Sequence, residues 1–442
     1  MIEKLVKNKS TSLFIQRVKD AESFWNRISS ERKNLLLGNS SLIDGNIEKA
    51  ITFLDNITST FQTKYNLMNT YKRTGNMGQY KKLKEELMTN YANQYELNNN
   101  KTLNKKVAFF LSYLGNTGAM KVLLLHKRWL EELGYEVTLF VPYPDKNKVL
   151  SYSLFNQKLE LTTYSSDKEL RKIASKYDIA YAPHWDHLFP LQQHFRKVFF
   201  FTQGDYDIFS EESNIINLLN MFYSLPVDMF TVSNFLASHV SRKQSRNIQV
   251  IPCGIDLNQF NPGDKFIEKT ILVVGTAAVQ QKNISNVLTQ LLLLKQRLNF
   301  NIVWINPQDN IKEVKDIIVV NDPNPETLAM YYRKSHLFVS GSEIESFSLP
   351  PLEAMASGTA VVSANNGGIL QYGIDGYNLC LFEPKDWSKM INHVEDLLTN
   401  DSKRELLIRH GINTAQEYDI EKVKIKFKEY INESTNSFVI TN

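Results

Sequence analysis

Apolar residues recur at helical spacing through the first 96 residues of the chain. One set, separated by steps of three and four, runs through Phe14, Val18, Ala21, Trp25 and Ile28. Such spacing places the apolar side chains on one face of a helix. Two similar segments begin at Gly45 and Gly75. The pattern predicts an N-terminal all-helical extension built from hairpins, which an Asn-rich linker closes at residue 104.

The pattern changes at residue 105, where short apolar runs begin to alternate with amphipathic segments. Val107–Tyr113 is apolar, Ala119–Leu133 has a helical period, and Glu136–Val141 is again apolar. This order predicts two buried parallel strands joined by a crossover helix. Further strands are predicted at Ile179–Ala182, Val198–Thr202, Met229–Val232 and Ile248–Ile251.

A second series of strands and helices begins at Thr270–Gly275. Its later strands are predicted at Asn301–Ile305, Ile317–Val320, Leu337–Ser340 and Thr359–Ser363. The stretch VIPCGIDLNQFNPGDK between the two series has the Pro and Gly content of a linker. The chain is therefore predicted to be α/β, with Rossmann-like doubly wound domains over 105–262 and 263–419.

Composition adds limits on partners and location. The chain has 442 residues with 51 basic and 47 acidic side chains, which gives a net charge of +4. This excess suits an anionic ligand or membrane surface but is too weak to indicate nucleic-acid binding. Cys253 and Cys380 lack metal-ligand spacing and are predicted to be buried free thiols. With no secretory pattern and no apolar run of roughly 20 residues, we expect a cytoplasmic protein that contacts the inner membrane face peripherally, if at all.

The stretch from 340 to 376 carries the strongest chemical signal. Glu345 follows a predicted strand, and seven residues separate it from Glu353. Pro350 and Pro351 suit the first turn of a helix, which would also contain Glu353, because proline has no N–H to leave unbonded there. A helix N-terminus favours phosphate, and carboxylates accept hydrogen bonds from sugar hydroxyls. The pattern indicates a nucleotide-sugar site whose phosphates bind the backbone N–H groups of Phe347, Ser348 and Leu349.

This stretch resembles the E-x7-E signature of family 4 retaining glycosyltransferases, which have the GT-B fold. The likeness includes Gly358 and the Gly367-Gly368 pair and extends over about residues 105–433. It implies two Rossmann-like domains facing a cleft, with the donor on the second domain and the acceptor near the first. It also implies that residues 420–442 form a helix that crosses back to the first domain, followed by a tail.

The resemblance assigns roles to individual residues. Glu345 would contact the donor sugar, Glu353 the ribose, and the amides of Ser346, Phe347, Ser348 and Leu349 the phosphates. The family often has glycine where Ser346 and Ser348 stand.

A second group of donor-side residues follows the strand that ends at Gly275. The family usually has an Arg and a Lys here, which neutralise the departing diphosphate. Lys282 lies one residue beyond the usual position of the Lys, and Thr276 occupies that of the Arg. One cation is therefore missing, so another cation substitutes for it, the donor chemistry differs, or activity is lost.

Candidate residues on the first domain follow three of its predicted strands. The turn between Gly115 and Gly118 lets backbone approach a ligand. His184 ends another strand at the sheet edge where ligands bind in such folds. Gln203 lies where many family members have a His that supports the transition state.

The sequence FFFTQGDYD around Gln203 also resembles a rhamnan-synthesis-type branch of the family, so both dTDP- and UDP-linked donors are candidates. Asp205 and Asp207 could be read as a metal-binding D-x-D pair. The two-sheet pattern favours the alternative without a metal, and no other cofactor is expected.

We expect a retaining hexosyl- or deoxyhexosyltransferase that acts on a glycan, lipid-linked or protein acceptor in cell-surface glycoconjugate synthesis. Two alternatives stay open: a non-catalytic sugar-nucleotide-binding partner of another transferase, and a GT-B sugar-nucleotide epimerase. The N-terminal hairpins, loosely similar to tetratricopeptide repeats, are expected either to serve docking or self-association or to cap the enzyme body.

Overall fold

The computed structural model describes most of the chain from residue 103 onward. The described residues are 71, 77–79, 81–83, 103–111, 114, 117–142, 149–154, 157–164, 167–184, 187–204, 223, 227–244, 248–307 and 311–440. The predicted helical repeats therefore lie outside the described residues, except for a few positions.

Eight strands form the first sheet in the order β3-β4-β2-β1-β5-β6-β7-β8. Neighbouring strands pair in parallel, except that β3 is antiparallel to β4. The strands are β1 (Lys106–Phe110), β2 (Glu136–Pro142), β3 (Val149–Leu154), β4 (Gln157–Tyr164), β5 (Ile179–Ala182), β6 (Lys197–Thr202), β7 (Asp228–Thr231) and β8 (Gln249–Val250).

Six strands form the second sheet, all parallel, in the order β11-β10-β9-β12-β13-β14. They are β9 (Thr270–Val274), β10 (Asn301–Asn306), β11 (Ile318–Asn321), β12 (Leu337–Ser340), β13 (Ala360–Ala364) and β14 (Cys380–Phe382). We call the bodies around the two sheets the first and the second domain. Two doubly wound Rossmann-like domains agree with the predicted fold class.

Helices connect the strands and cover the sheets. In chain order they are α1 (Gly118–Glu132), α2 (Asp167–Ala174), α3 (Leu188–His194), α4 (Asn234–Gln244), α5 (Ile284–Lys295), α6 (Pro325–Lys334), α7 (Leu349–Ala356), α8 (Trp387–Thr399), α9 (Asp401–Glu417) and α10 (Ile420–Ile440). No helix in the described part of the chain is long and apolar enough to cross a membrane.

The central strands are continuous apolar runs because helices cover both of their faces. β6, with the sequence KVFFFT, is buried along its whole length. The hairpin of β3 and β4 was not predicted. In β4 the buried positions Leu159 and Leu161 alternate with exposed polar residues, so no continuous apolar run marks it. Cys253 and Cys380 are buried free thiols, as predicted.

The chain passes between the two domains twice, and the two passages are hydrogen-bonded to each other. The Ile255 N–H donates to the Tyr418 carbonyl at 2.8 Å, and the Ile420 N–H donates to the Ile255 carbonyl at 2.9 Å. A Cβ at Gly254 would lie 2.8 Å from the Cα of Ile420. Only glycine therefore allows the two passages to approach this closely.

Helix α10 packs back onto the first domain, where it closes an aromatic cluster around His126. The imidazole stacks on Phe427 of α10 with ring centroids 4.4 Å apart, and its Nδ1 lies 2.6 Å from the Tyr181 hydroxyl. Lys428 of α10 forms an ion pair with Glu132 at 2.9 Å. The C-terminal helix thus completes the core of the first domain.

The buried imidazole predicts acid-sensitive stability. Burial lowers the pKa of His126 from 6.5 to about 3, so the unfolded chain binds more protons between these values. The free energy of unfolding should fall by about 1.4 kcal/mol per pH unit below pH 6.5 on account of this group alone. Denaturant unfolding from about pH 7.5 to pH 4.5 measures that slope.

The matched variant is His126→Phe, which keeps an aromatic ring in the cluster but cannot titrate. Its slope should be smaller than that of the wild type by about 1.4 kcal/mol per pH unit. The pKa of His336, which is lowered to about 4 mainly by burial, leaves a residual slope in both proteins. Equal slopes in the two proteins would contradict this assignment.

Candidate functional site between the two domains

The carboxyl ends of both sheets border one cleft of about 780 Å³. Parallel sheets bind ligands at this edge because their loops and helix N-termini converge there. The first domain contributes residues that follow β1, β6 and β7, and the second contributes residues that follow β9 to β12. The polar and charged side chains that line the cleft are Thr117, Lys121, Gln203, Thr276, Lys282, Asp322, Asn324, Glu345, Ser346, Ser348 and Glu353.

The loop from 345 to 348, which we call the donor loop, connects β12 to α7. Helix α7 begins at Leu349, and the two prolines occupy its second and third positions. Glu353 is therefore its fifth residue, just beyond the first turn in which it was predicted. Among the described residues, none accepts a hydrogen bond from the backbone N–H groups of Phe347, Ser348 and Leu349. These donors are left for a ligand.

Ser348 has left-handed backbone, with φ of 71°. This conformation costs a residue with a side chain about 1 kcal/mol, so it explains why a glycine would suit the position. The Ser348 hydroxyl accepts from Asn366 Nδ2 at 3.2 Å, and the Ser348 carbonyl accepts from the Tyr372 hydroxyl. These bonds hold the strained residue in place.

The Gly367-Gly368 pair packs against the backbone of the donor loop. The Gly368 N–H donates to the Glu345 carbonyl at 3.0 Å, and the Glu345 N–H donates to the Asn366 carbonyl at 3.0 Å. A Cβ at Gly368 would lie 2.5 Å from the Phe347 nitrogen and 2.5 Å from the Glu345 oxygen. Backbone therefore packs directly on backbone, which only glycine permits.

The first domain also contacts the donor loop. The Ser233 hydroxyl, at the start of α4, donates to the Ser346 carbonyl at 2.5 Å, and both residues are buried. The Asn234 N–H donates to Gln371 Oε1 at 2.7 Å. The conformation of the loop is therefore linked to the relative placement of the two domains.

A lysine affects each glutamate of the site, Glu345 through an ion pair and Glu353 through longer-range charge. Lys282 Nζ lies 3.0 Å from Glu345 Oε1, and both side chains are partly exposed to the cleft. Burial raises the pKa of Glu353, and the positive charge of Lys121 opposes that rise, as does the nearby Tyr332 hydroxyl. Lys121 belongs to the first domain, so this second association crosses the cleft.

The residues predicted on the donor side converge on the cleft. Gly275, Lys282, Glu345, Glu353 and the residues from Ser346 to Leu349 all line it. Thr276 lines it too, but its side chain is buried and uncharged. A cation is thus missing at that position in the fold as well as in the sequence.

The residues predicted on the first domain divide into three groups. Gly118 and Gln203 line the cleft. His184 is not among the described lining residues, and its carbonyl accepts from the His187 N–H at 3.3 Å. Gly115 lies outside the described residues, as do both aspartates of the D-x-D pair.

Lys121 and Asn366 are site residues that sequence reasoning missed. Lys121 is the fourth residue of α1, where a cation opposes the helix dipole. A lysine at this unfavourable position is the feature of the sequence that could have identified it. Asn366 precedes the glycine pair, and its side chain also accepts from the Ile369 N–H at 2.9 Å. Nothing in its sequence context distinguishes it from the neighbouring Asn365.

The close contact at Gly368 predicts a severe effect of Gly368→Ala. The added methyl group must displace the donor loop, so we expect a loss of about 3 kcal/mol in the free energy of unfolding. Gly376→Ala is the control without a steric clash, because nothing lies within 4 Å of its Cβ position, and its cost comes from its positive φ of 72° alone. The control should lose only about 1 kcal/mol. Equal losses in denaturant unfolding would show that the donor loop tolerates displacement.

Comparisons with known proteins agree with this architecture. Residues 258–414, which cover most of the second domain, match the family described as glycosyl transferases group 1. The chain is similar to MMP alpha-(1->4)-mannosyltransferase of Mycolicibacterium hassiacum, with 27% identity over 193 residues, 40% of this chain and 46% of the relative. It is also similar to D-inositol 3-phosphate glycosyltransferase of Thermobifida fusca, with 27% identity over 209 residues, 41% of this chain and 48% of the relative. The chain thus spans about half the length of these curated relatives.

Solved structures share the two-domain fold. Sucrose-phosphate synthase of Thermosynechococcus elongatus superposes with a TM-score of 0.62 at 17% identity, over 76% of this chain and 100% of that one. HepE of Anabaena, solved in complex with UDP-glucose, superposes with a TM-score of 0.59 at 15% identity, over 74% of this chain and 99% of that one. The chain therefore has the GT-B glycosyltransferase fold, and its second domain matches the glycosyl transferases group 1 family.

Proposed function

We propose that this chain transfers a sugar from a nucleotide-sugar donor to a glycan, lipid-linked or protein acceptor, with retention of anomeric configuration. The observation that carries the proposal is the donor loop. The N–H groups of Phe347, Ser348 and Leu349, for which no described residue is an acceptor, lie at the start of α7 between Glu345 and Glu353. A diphosphate with hydroxyl groups on both sides fits that arrangement of donors and acceptors.

The donor would lie along the donor loop with its diphosphate on the N–H groups of Phe347, Ser348 and Leu349. Glu345 would accept from hydroxyls of the transferred sugar, and Glu353 from the ribose. Gly275 lines the cleft beside this site, and a side chain there would crowd Lys282 and Ile284. No resident cofactor is needed, since the donor supplies the leaving group.

The reaction would take place on one face of the sugar. The bond between the anomeric carbon and the diphosphate oxygen breaks, and the acceptor oxygen bonds to that carbon on the same face. The acceptor proton passes to the departing phosphate, so no side-chain nucleophile is required. The protein's part is to position the reactants and stabilise the negative charge that develops on the diphosphate, through the loop N–H groups and Lys282.

The acceptor would enter from the first domain. Gln203, which follows β6 and lines the cleft, would face the transferred sugar with a neutral amide. Closure of the domains would complete the site, and the Ser233–Ser346 hydrogen bond is a contact through which closure could order the donor loop.

The names of related proteins support this class of donor and acceptor. One relative is named as a lipopolysaccharide N-acetylglucosaminetransferase and another as a mannosyltransferase. A protein of the same fold was solved with UDP and glucose. We propose a UDP- or dTDP-linked hexose or deoxyhexose as donor, and cytoplasmic synthesis of cell-surface glycoconjugates as the setting.

A second candidate is a non-catalytic sugar-nucleotide-binding partner of another transferase. The uncharged Thr276 and Gln203 in the cleft favour it, because both reduce electrostatic stabilisation of the reaction. The two candidates make the same prediction for binding and opposite predictions for turnover.

A panel of UDP- and dTDP-sugars, assayed for nucleotide release with and without candidate acceptors, tests the transferase. The expected result is release from one donor, with a matching mass increase of an acceptor and a retained anomeric configuration by NMR. Binding of nucleotide without release from any donor would favour the non-catalytic partner. Absence of nucleotide binding would contradict both candidates.

The ribose assignment predicts that Glu353→Ala removes discrimination between ribose and dideoxyribose. The wild type should bind UDP about tenfold more tightly than its 2′,3′-dideoxy analogue, since hydrogen bonds to a carboxylate contribute about 1.5–3 kcal/mol. The variant should bind both equally. Glu343→Ala is the control, because Glu343 bonds to Asn283 and Lys385 and does not line the cleft. Unchanged discrimination in Glu353→Ala, measured by calorimetry, would show that the ribose lies elsewhere.

A further inference from the structure

Lys121 occupies a position that the local structure does not favour. It is the fourth residue of α1, whose N-terminus is capped by the Thr117 side chain. The positive end of the helix dipole and the positive side chain repel each other, so a cation here lowers helix stability. Folding of α1 alone therefore gives no reason for a lysine at this point.

The surroundings of Lys121 belong to the cleft rather than to its own domain. It lines the cleft together with Glu353 and the donor loop. A Cβ added to Gly118, in the same turn of α1, would lie 3.4 Å from Leu349 Cδ1. The N-termini of α1 and α7 therefore meet across the cleft, one from each domain. Burial raises the pKa of the Glu353 carboxyl group, and the charge of Lys121 offsets part of that rise.

The charges in the cleft leave one cation too few for a diphosphate unless Lys121 takes part. Among the described lining residues the cations are Lys121 and Lys282, and Lys282 is paired with Glu345 at 3.0 Å. Thr276, which lies next to Gly275, carries no charge. Two helix N-termini contribute about half a unit of positive charge each. Both lysines together with these termini supply about three positive charges, which matches a diphosphate with two or three negative charges.

We propose that Lys121 binds the diphosphate of the donor from the first domain, as the second cation of a site whose other cation, Lys282, belongs to the second. This inference rests on the proposed function. When the donor binds, Lys282 would exchange Glu345 for a phosphate oxygen, and Lys121 would bind a second phosphate oxygen near Glu353. Each glutamate would then be free to accept from hydroxyls, Glu345 from the sugar and Glu353 from the ribose.

This exchange has a consequence for the order of events. Lys121 and Lys282 belong to different domains, so the diphosphate receives both cations only when the domains are close. Negative charge on the ligand would therefore draw the first domain onto the second, and release of the diphosphate would weaken that attraction. If Lys121 only stabilised the contact between the domains, its loss would instead weaken the binding of every ligand of the cleft by the same factor.

Calorimetric titration of the full chain with UDP, inorganic pyrophosphate and uridine separates these roles. Lys121→Gln should weaken binding of UDP and of pyrophosphate about tenfold, as expected for loss of one charge-assisted bond, while binding of uridine is unchanged. Lys121→Arg should restore most of the affinity. Lys127→Gln is the matched control on the same helix, since Lys127 pairs with Glu131 at 2.6 Å and does not line the cleft, and it should behave as the wild type.

The possible outcomes distinguish this inference from the proposed function. Wild-type affinity of Lys121→Gln for UDP and pyrophosphate would overturn the inference and leave the transferase proposal standing. An equal loss for uridine and UDP would also overturn it, in favour of a structural tie between domains. Lys121-dependent pyrophosphate binding without sugar transfer to any acceptor would support the inference and count against the transferase. A wild type that binds neither UDP nor pyrophosphate would overturn both.

Discussion

The close contact between the donor loop and Gly368 is the constraint on which the rest of the site depends. Backbone atoms of Glu345 and Phe347 lie where any side chain at Gly368 would begin. On one side, the carbonyl and N–H groups of Glu345 bond to the backbone of residues 366–368 and hold the loop in place. The other side, which contains the N–H groups at the start of α7, faces the cleft without a partner among the described residues. Such an arrangement of N–H groups suits an anion before any side chain is considered.

The second organising feature is that charge is shared between the domains. The second domain provides Glu345, Glu353 and Lys282, and the first domain provides Lys121. The Ser233–Ser346 hydrogen bond and the paired passages at Ile255 connect the same two bodies. A ligand that engages the donor loop therefore contacts a surface whose electrostatics depend on both domains, which is how a two-domain fold can couple binding to closure.

Sequence reasoning succeeded where a feature is local and failed where it depends on the assembled cleft. Buried parallel strands such as β6 are apolar runs, and the E-x7-E spacing surrounds a helix start, so both are visible in the sequence. The β3–β4 hairpin was missed because its apolar residues alternate. His184 was expected at the ligand edge, yet it is not among the described residues that line the cleft. Lys121 was missed because the groups it affects, Glu353 and the N-terminus of α7, belong to the other domain.

Hydrogen exchange of the peptide spanning 345–353, with and without saturating UDP, tests whether the donor loop binds the diphosphate. Pro350 and Pro351 have no amide hydrogens, so exchange in this peptide reports mainly on the N–H groups from Ser346 to Leu349. The account predicts that UDP slows their exchange, and that uridine does so much less. Unchanged exchange at saturating UDP, with protection only elsewhere in the chain, would contradict the claim that the donor loop binds the diphosphate.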